Sequence, residues 1–488
     1  MSVYALKLAL VCCLSICSAA FLSRNLFFSD VGKKIVAVWI LALPLVFLLR
    51  NEAFTLLAAL IILFLINRTN KPIIALVFFI VSLGAVPDWV QHYLSLPGIN
   101  HLLGFTYDRV AIIAILLPIF LSIGSVNRVS WNTTDTLVCL FILLMTLLTF
   151  RDGKITTVMR FIVDSFLIYI IPYFVFSRVV RSVNDLHYCA AAFLMLAILI
   201  TAILFISQIM QLNIYDSFNP RNRYFFIREY QGVFLRLSGG LSAVLVGFIL
   251  LAGYFSWESI KRFGFINKFL SWAMLFAFAV GLFATGSRGG LFGVVLGVSV
   301  YYYFAKFSGP QRTLSAIFIF FLLIFEFVFG LSSIFTYEDQ YGTFDYRYEL
   351  YAASWEFLKQ YPLFGHHSFI DTGFFNHLIT GLGIIDIVSA YLEIGLKYGF
   401  AGLLLYVGIF LSVLIPLGLK LIRCKDFESD YAKYLAMYFT LLFVVLFMIG
   451  TTSVVSYFPA FIMITLGIGR SLCDSHVFLT QDSQRVTA

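Results

Sequence analysis

LHYCAAAFLMLAILITAILFISQIM occupies residues 186–210, and QLNIYDSFNPRNRYFFIREYQGVFLRLSG follows it at 211–239. The first stretch is long and apolar enough to cross hydrocarbon as a helix, which takes about 20 residues. The second carries Arg221, Arg223, Arg228 and Arg236 and belongs in water or at a headgroup surface. A spanning segment must satisfy every backbone polar group internally, so this run reads as helix. The same alternation recurs along the chain. It sets the expected fold class: an all-α, polytopic membrane protein forming a single domain over residues 1–488.

Composition agrees. Apolar residues make up 61%, aromatics 18% and charged residues only 12%, with a mean hydropathy of +0.96, which excludes an ordinary soluble protein. Further runs near 4–22, 110–126, 136–150, 240–256, 268–285, 288–305, 313–331, 398–419 and 455–469 are about long enough to span. Shorter or polar-interrupted runs near 35–49, 53–66, 72–87, 158–176 and 434–450 bring the expected number of transmembrane helices to about fourteen. The first run follows a single Lys7 and lacks a small-x-small cleavage site, so it reads as a retained anchor. The net charge of +8 is dispersed between the spans. That pattern fits membrane topology, with lipid bilayer as a partner, and argues against nucleic acid. The seven cysteines lie in apolar runs or in expected cytoplasmic segments and imply no disulfide framework.

Lys and Arg in short loops set orientation. Segments around Lys33 and Lys34, Arg68 and Lys71, Arg178 and Arg181, Lys261 and Arg262, Lys306 and Arg312, and Lys420 and Arg423 alternate as cytoplasmic. Two substantial segments are left outside: the Arg-rich loop at 211–239 and a larger one at 332–385. Four arginines in an outer loop break the positive-inside pattern, and an anionic, phosphate-bearing lipid substrate would explain the break. Within the larger loop, an N-cap at Asp345 and a stripe of Leu350, Ala353, Phe357 and Leu358 predict an amphipathic helix stopped by Pro362 and Gly365. Its Tyr and Trp residues suit a membrane interface or sugar rings.

Four stretches then carry a resemblance. They are Arg236-Leu237-Ser238-Gly239-Gly240, Thr285-Gly286-Ser287-Arg288-Gly289-Gly290, Tyr361-Pro362-Leu363-Phe364-Gly365, and Tyr391-Leu392-Glu393-Ile394-Gly395-Leu396-Lys397-Tyr398-Gly399-Phe400-Ala401-Gly402-Leu403. Together they resemble the O-antigen ligase and O-antigen polymerase superfamily over roughly residues 211–410. The resemblance implies a GT-C-like glycosyltransferase of the bacterial inner membrane with its active site facing the periplasm. The enzyme would use an undecaprenyl-pyrophosphate-linked glycan as donor, without nucleotide sugar, metal or other cofactor. A chain-length regulator and a flippase of the same pathway are the protein partners it implies.

In such a reaction a sugar hydroxyl attacks an anomeric carbon and lipid pyrophosphate leaves. Guanidinium groups stabilise the negative charge growing on the departing oxygen. Arg236 and Arg288, beside glycines at the mouths of spans, are the first candidates. Arg221, Arg223, Arg228 and Arg347 are candidate substrate contacts. Each also has a plain reading, as a headgroup contact, a snorkelling residue or a partner of nearby Glu and Tyr.

The base has several candidates. In the ligase branch a histidine shortly before the Tyr-Leu stretch is expected, whereas here Val388 occupies that approximate place. This departure moves the reading toward a polymerase of O-antigen, capsule or exopolysaccharide repeat units. The ligase and, from another class, a lipid-linked oligosaccharide flippase remain the alternatives. Asp386 would share a helical face with Glu393 and Lys397, or would cap that helix. His366, His367 and His377 lie in the outer loop, and histidine titrates near neutrality. Arg160 and Asp164, four apart in a span, are expected to pair with each other.

Overall fold

The computed structural model describes residues 33, 51–67, 71–88, 90–96, 99–126, 131–210, 229–230, 234–235, 241–260, 265–305, 310–329, 343–380, 383–424, 429–452, 454 and 457–474. The runs expected at 4–22 and 35–49 lie outside the described residues.

Helix α1 (Glu52–Ile66) starts where the Asn51 side chain accepts from the backbone N–H groups of Ala53 and Phe54. Helix α2 (Pro72–Ser82) has Pro in its first turn, where no intrahelical N–H bond is lost. An antiparallel hairpin follows, β1 (Gln91–Leu96) with β2 (Ile99–Thr106), Gln91 facing Thr106 and Leu96 facing Ile99. A purely helical reading has no place for it. The sequence between the strands reads Pro-Gly, residue types favoured in turns, and this is the one local signal. Helix α3 then runs over 107–126 with a π turn at Ile112–Leu116.

Helices α4 (Thr133–Asp152), α5 (Ile155–Val179) and α6 (Val183–Met210) come next, α5 interrupted by a π turn at Phe166–Ile170. A second small hairpin, β3 (Glu229–Tyr230) and β4 (Phe234–Leu235), sits in the Arg-rich loop. The remainder is α7 (Ala243–Ile260), α8 (Phe265–Thr285), α9 (Arg288–Ala305), α10 (Pro310–Phe329), α11 (Thr343–Gln360), α12 (Ala390–Arg423), α13 (Asp430–Thr451) and α14 (Phe458–Cys473). Among the described residues, seven helices are long and apolar enough to cross a membrane, and Glu52–Leu65, Pro72–Ser82, Gly289–Ala305 and Phe458–Cys473 are shorter apolar helices. The chain is a polytopic helical membrane protein.

Burial sorts the spans into interior and periphery. The spans in α6 and α7 are 78% buried, whereas the one in α8 is 28% buried. Helix α8 turns Phe269, Trp272 and Phe276 outward, the natural surface for lipid. Helices α6 and α7 meet at small residues: a Cβ on Gly253 would lie 2.2 Å from that of Ala197. With lipid as apolar as leucine, such close backbone approach is what holds helices together.

One end of the bundle is tied by a buried ion pair. Arg178 grips Asp135 bidentately at 2.9 and 2.6 Å. The Tyr173 hydroxyl donates to Asp135 at 2.7 Å and the Asn132 backbone N–H at 3.0 Å. Arg178 also lies 4.4 Å from the centre of the Phe174 ring. Every charge in this pair has its partners.

Candidate functional site

The segment from α11 to the start of α12 builds a small core of its own. Leu350, Ala353, Phe357 and Leu358 of α11 are buried, as their spacing predicts, against Phe369, Phe375, Leu378, Ile387 and Leu396. Helix α11 begins at Thr343, so Asp345 lies inside its first turn rather than at the cap. A carboxylate there still favours the positive end of the helix dipole. Helix α11 ends at Gln360, just before Pro362 and Gly365.

Tyr361–Gly365 is seated in a break in α12. Gly399 (φ 65°, ψ −165°) is non-helical and divides α12 into two rods. Such a break leaves N–H groups without their i−4 carbonyls. The loop supplies replacements: Phe400 N donates to Pro362 O at 2.9 Å and Ala401 N to Leu363 O at 3.1 Å. In the other direction, His366 N donates to Leu396 O at 2.8 Å. The backbones approach so closely that a Cβ on Gly399 would lie 2.4 Å from the Leu363 carbonyl, and one on Gly365 (φ 54°) would lie 2.5 Å from Leu396 O. Both positions require glycine, for φ and for space. Two of the four quoted stretches thus form one hydrogen-bonded unit.

The C-terminal end of α4 grips the same turn from another side. Arg151 forks onto Asp152 at 2.5 and 2.6 Å and donates to Gly365 O at 2.7 Å. Asp152 in turn accepts the His367 backbone N–H at 2.8 Å. The His367 ring comes within 3.3 Å of Thr149 Oγ1 and packs against Phe161 and Tyr398. Burial, reinforced by the Lys397 charge, holds its imidazole below the ordinary value of 6.5, with Asp152 opposing. His366 Nδ1 is buried with no hydrogen-bond partner among the described residues, its ring against Tyr361. His377 is exposed.

Polar groups continue across the neighbouring helices. Glu393 and Lys397 pair at 2.6 Å on α12, as their spacing suggests. Tyr169 of α5 lies within electrostatic reach of Glu393, Asp164 and Arg109. Asp164 pairs with Arg109 of α3 at 3.2 Å, not with Arg160. Helical spacing puts Arg160 near Asp164, but it says nothing of a guanidinium arriving from another helix; Arg160 still contributes its charge there. A cleft of about 440 Å³ opens between α11, α12 and the end of α13, walled by Tyr351, Leu358, Tyr391, Leu392, Phe400 and Leu403 among others. Its lining is mainly apolar, suited to a chain or ring rather than to an ion.

The remaining expected site residues fall elsewhere. Asp386 is exposed and precedes α12, which starts at Ala390 under a Ser389 cap. It therefore neither caps the helix nor shares a helical face with Glu393 and Lys397. The Tyr346 hydroxyl pins its backbone, accepting from Asp386 N at 2.8 Å and donating to Asp386 O at 3.1 Å. Val388 is partly buried in the loop core. Arg347, on α11, has no ion pair among the described residues. Arg288 opens α9 directly after Ser287, whose Oγ accepts from Gly290 N at 3.1 Å, but its side chain lies outside what is described. Arg221, Arg223, Arg228 and Arg236 lie outside the described residues.

Thr149, Arg151 and Asp152 escaped the sequence reading. Their one signal is an Arg-Asp pair placed directly at the end of an apolar run, before Gly153.

Residues 273–407 match a family model described as O-antigen ligase. The match takes in the Arg288 turn, the large loop and α12 as far as just past its break at Gly399, and it supports the O-antigen ligase and polymerase superfamily. It indicates chemistry of ligase or polymerase type on a lipid-linked glycan. No curated protein matches the chain.

Proposed function

We propose that this protein polymerises undecaprenyl-pyrophosphate-linked oligosaccharide repeat units into a surface polysaccharide at the periplasmic face of the bacterial inner membrane. The observation that carries the reading is Val388. The ligase pattern expects a histidine at about this position, and here an aliphatic side chain is partly buried in the loop core. A residue packed in that way contributes shape rather than proton transfer. The family match over 273–407 supports the reaction class.

In this reading about fourteen transmembrane helices form a GT-C-like bundle. Arg236 and Arg288 hold the pyrophosphate, with Arg221, Arg223, Arg228 and Arg347 as further contacts for the anionic donor. The growing charge on the leaving oxygen calls for guanidinium groups that are always charged and grip two oxygens at once. No metal is needed for that role. The acceptor hydroxyl loses its proton to a group on the outer loop. Of Asp386, His366 and His367, the last is favoured, because it alone is held by backbone, side chain and ring contacts together.

The test uses cells lacking the gene, complemented with wild type or with Arg288→Ala, and reads glycan length on the lipid carrier. Loss of long chains, with single repeat units still transferred onward, is the expected result. Long chains accumulating on undecaprenyl pyrophosphate would assign a ligase instead. Single units trapped on the cytoplasmic side would assign a flippase.

A further inference from the structure

Thr149 determines which nitrogen of His367 carries hydrogen. The threonine hydroxyl has a single proton; its near acceptor is Met145 O, one turn back in α4 and 2.7 Å away, while Tyr398, also a hydrogen-bonding neighbour of this side chain, has a hydroxyl proton of its own to give to the second lone pair. Toward His367 Nδ1, at 3.3 Å, the same oxygen can then only accept. Nδ1 is therefore the protonated nitrogen, and Nε2 keeps its lone pair. Thr149 is fully buried, so water does not compete for the contact.

The ring is also fixed in place. Asp152 holds the His367 N–H and Arg151 holds the Gly365 carbonyl, so both strands of the turn are tied to the end of α4. The charged and titratable groups facing the ring are Arg151 and Asp152 from α4, Lys397 and Tyr398 from α12, and His366 in the same turn; α5 contributes the Phe161 ring. Three of the four charge effects disfavour an imidazolium, and burial acts in the same sense.

We propose that Thr149, Arg151 and Asp152 are positioning residues that present His367 as a neutral Nδ1–H imidazole, with Nε2 accepting the proton of the attacking sugar hydroxyl. The hydroxyl as proton source rests on the polymerase reading; the tautomer does not. In the step, the acceptor O–H bond breaks and its proton goes to Nε2. The oxygen bonds to the anomeric carbon, and the bond from that carbon to lipid pyrophosphate breaks with its electron pair. The imidazolium then returns its proton to water.

The experiment is 15N NMR of histidine-labelled full-length protein in detergent, with His367→Gln identifying the signal. A pyrrole-type Nδ1 and a pyridine-type Nε2 are expected in the wild type. Thr149→Val should shift the ring toward the other tautomer and lower kcat for polymerisation at unchanged KM, while Thr149→Ser restores both. His367→Gln should lower the rate by about 10²–10⁴-fold, the usual contribution of a positioned base. An Nε2–H ring in the wild-type protein overturns the proposal whatever the reaction is, and so does a wild-type rate in His367→Gln. Unaltered polymer in cells lacking the gene overturns the reading on which the hydroxyl rests, and the NMR result distinguishes that failure from the first.

Discussion

Asp135 and Asp152 lie near opposite ends of one helix, about 25 Å apart by helical rise, and their surroundings differ in kind. Asp135 is fully buried and receives bonds from Arg178, Tyr173 and the Asn132 backbone, so its oxygens have no valence left for anything else. Asp152 is paired with an arginine whose side chain is 43% exposed, and it spends its second contact on a loop backbone. Beside it a group is left unsatisfied: His366 Nδ1 has no hydrogen-bond partner among the described residues. A saturated polar cluster ties helices together, whereas one with spare valence can receive a ligand. The saturation belongs to the Asp135–Arg178 cluster itself, since Arg181 Nη2 and Arg470 Nε beside it are buried without a hydrogen-bond partner among the described residues; the Asp152 cluster holds the turn that follows α11.

The contrast can be broken by mutation. The largest effect should come from Asp135→Ala, which leaves the Arg178 charge buried without its partner. A loss of about 3–5 kcal/mol is expected, seen as a collapse of the thermal midpoint in detergent. A near-wild-type midpoint would mean that the Asp135–Arg178 cluster is not structural. Next comes Gly399→Ala, where a left-handed backbone and the Leu363 carbonyl both oppose a side chain. The backbone penalty alone is about 1–3 kcal/mol. Limited proteolysis of the 361–389 segment should report its release, and an unchanged digestion pattern would contradict the docking of loop on helix.

Smaller effects sharpen the comparison. Glu393→Gln removes a half-exposed helical pair and should cost at most about 0.5 kcal/mol, while polymer length in complemented cells changes if the group lines the cavity. A stability loss as large as that of Asp135→Ala would place Glu393 with the structural pairs. Smallest is a pH effect on stability. The folded protein holds the His367 pKa below its unfolded value of 6.5, so the unfolded chain binds the proton more readily. Stability should therefore fall as pH drops below about 6.5 and level off below the folded pKa, and His367→Gln should remove this slope. The acid limb of the rate profile should lie below the same value. A limb above it would mean that another group titrates.

Much of this protein follows from its residues alone. Apolar runs longer than the hydrocarbon thickness have few alternatives to spanning helices, because lipid offers their backbones no other partner. The stripe of Leu350, Ala353, Phe357 and Leu358 and the pair Glu393–Lys397 were legible for the same reason: helical periodicity is local. The hairpin at 91–106 was not, since hydropathy alone does not separate short strands from short spans. Nor were the partners of Asp164, the position of Asp386 ahead of α12, or the grip of Arg151 and Asp152 on Gly365 and His367. Each depends on an atom from a distant segment arriving at a particular place. Only the tertiary structure brings those segments together: glycines at 365 and 399 let two backbones touch, and a threonine in another helix comes within 3.3 Å of a histidine ring in the loop.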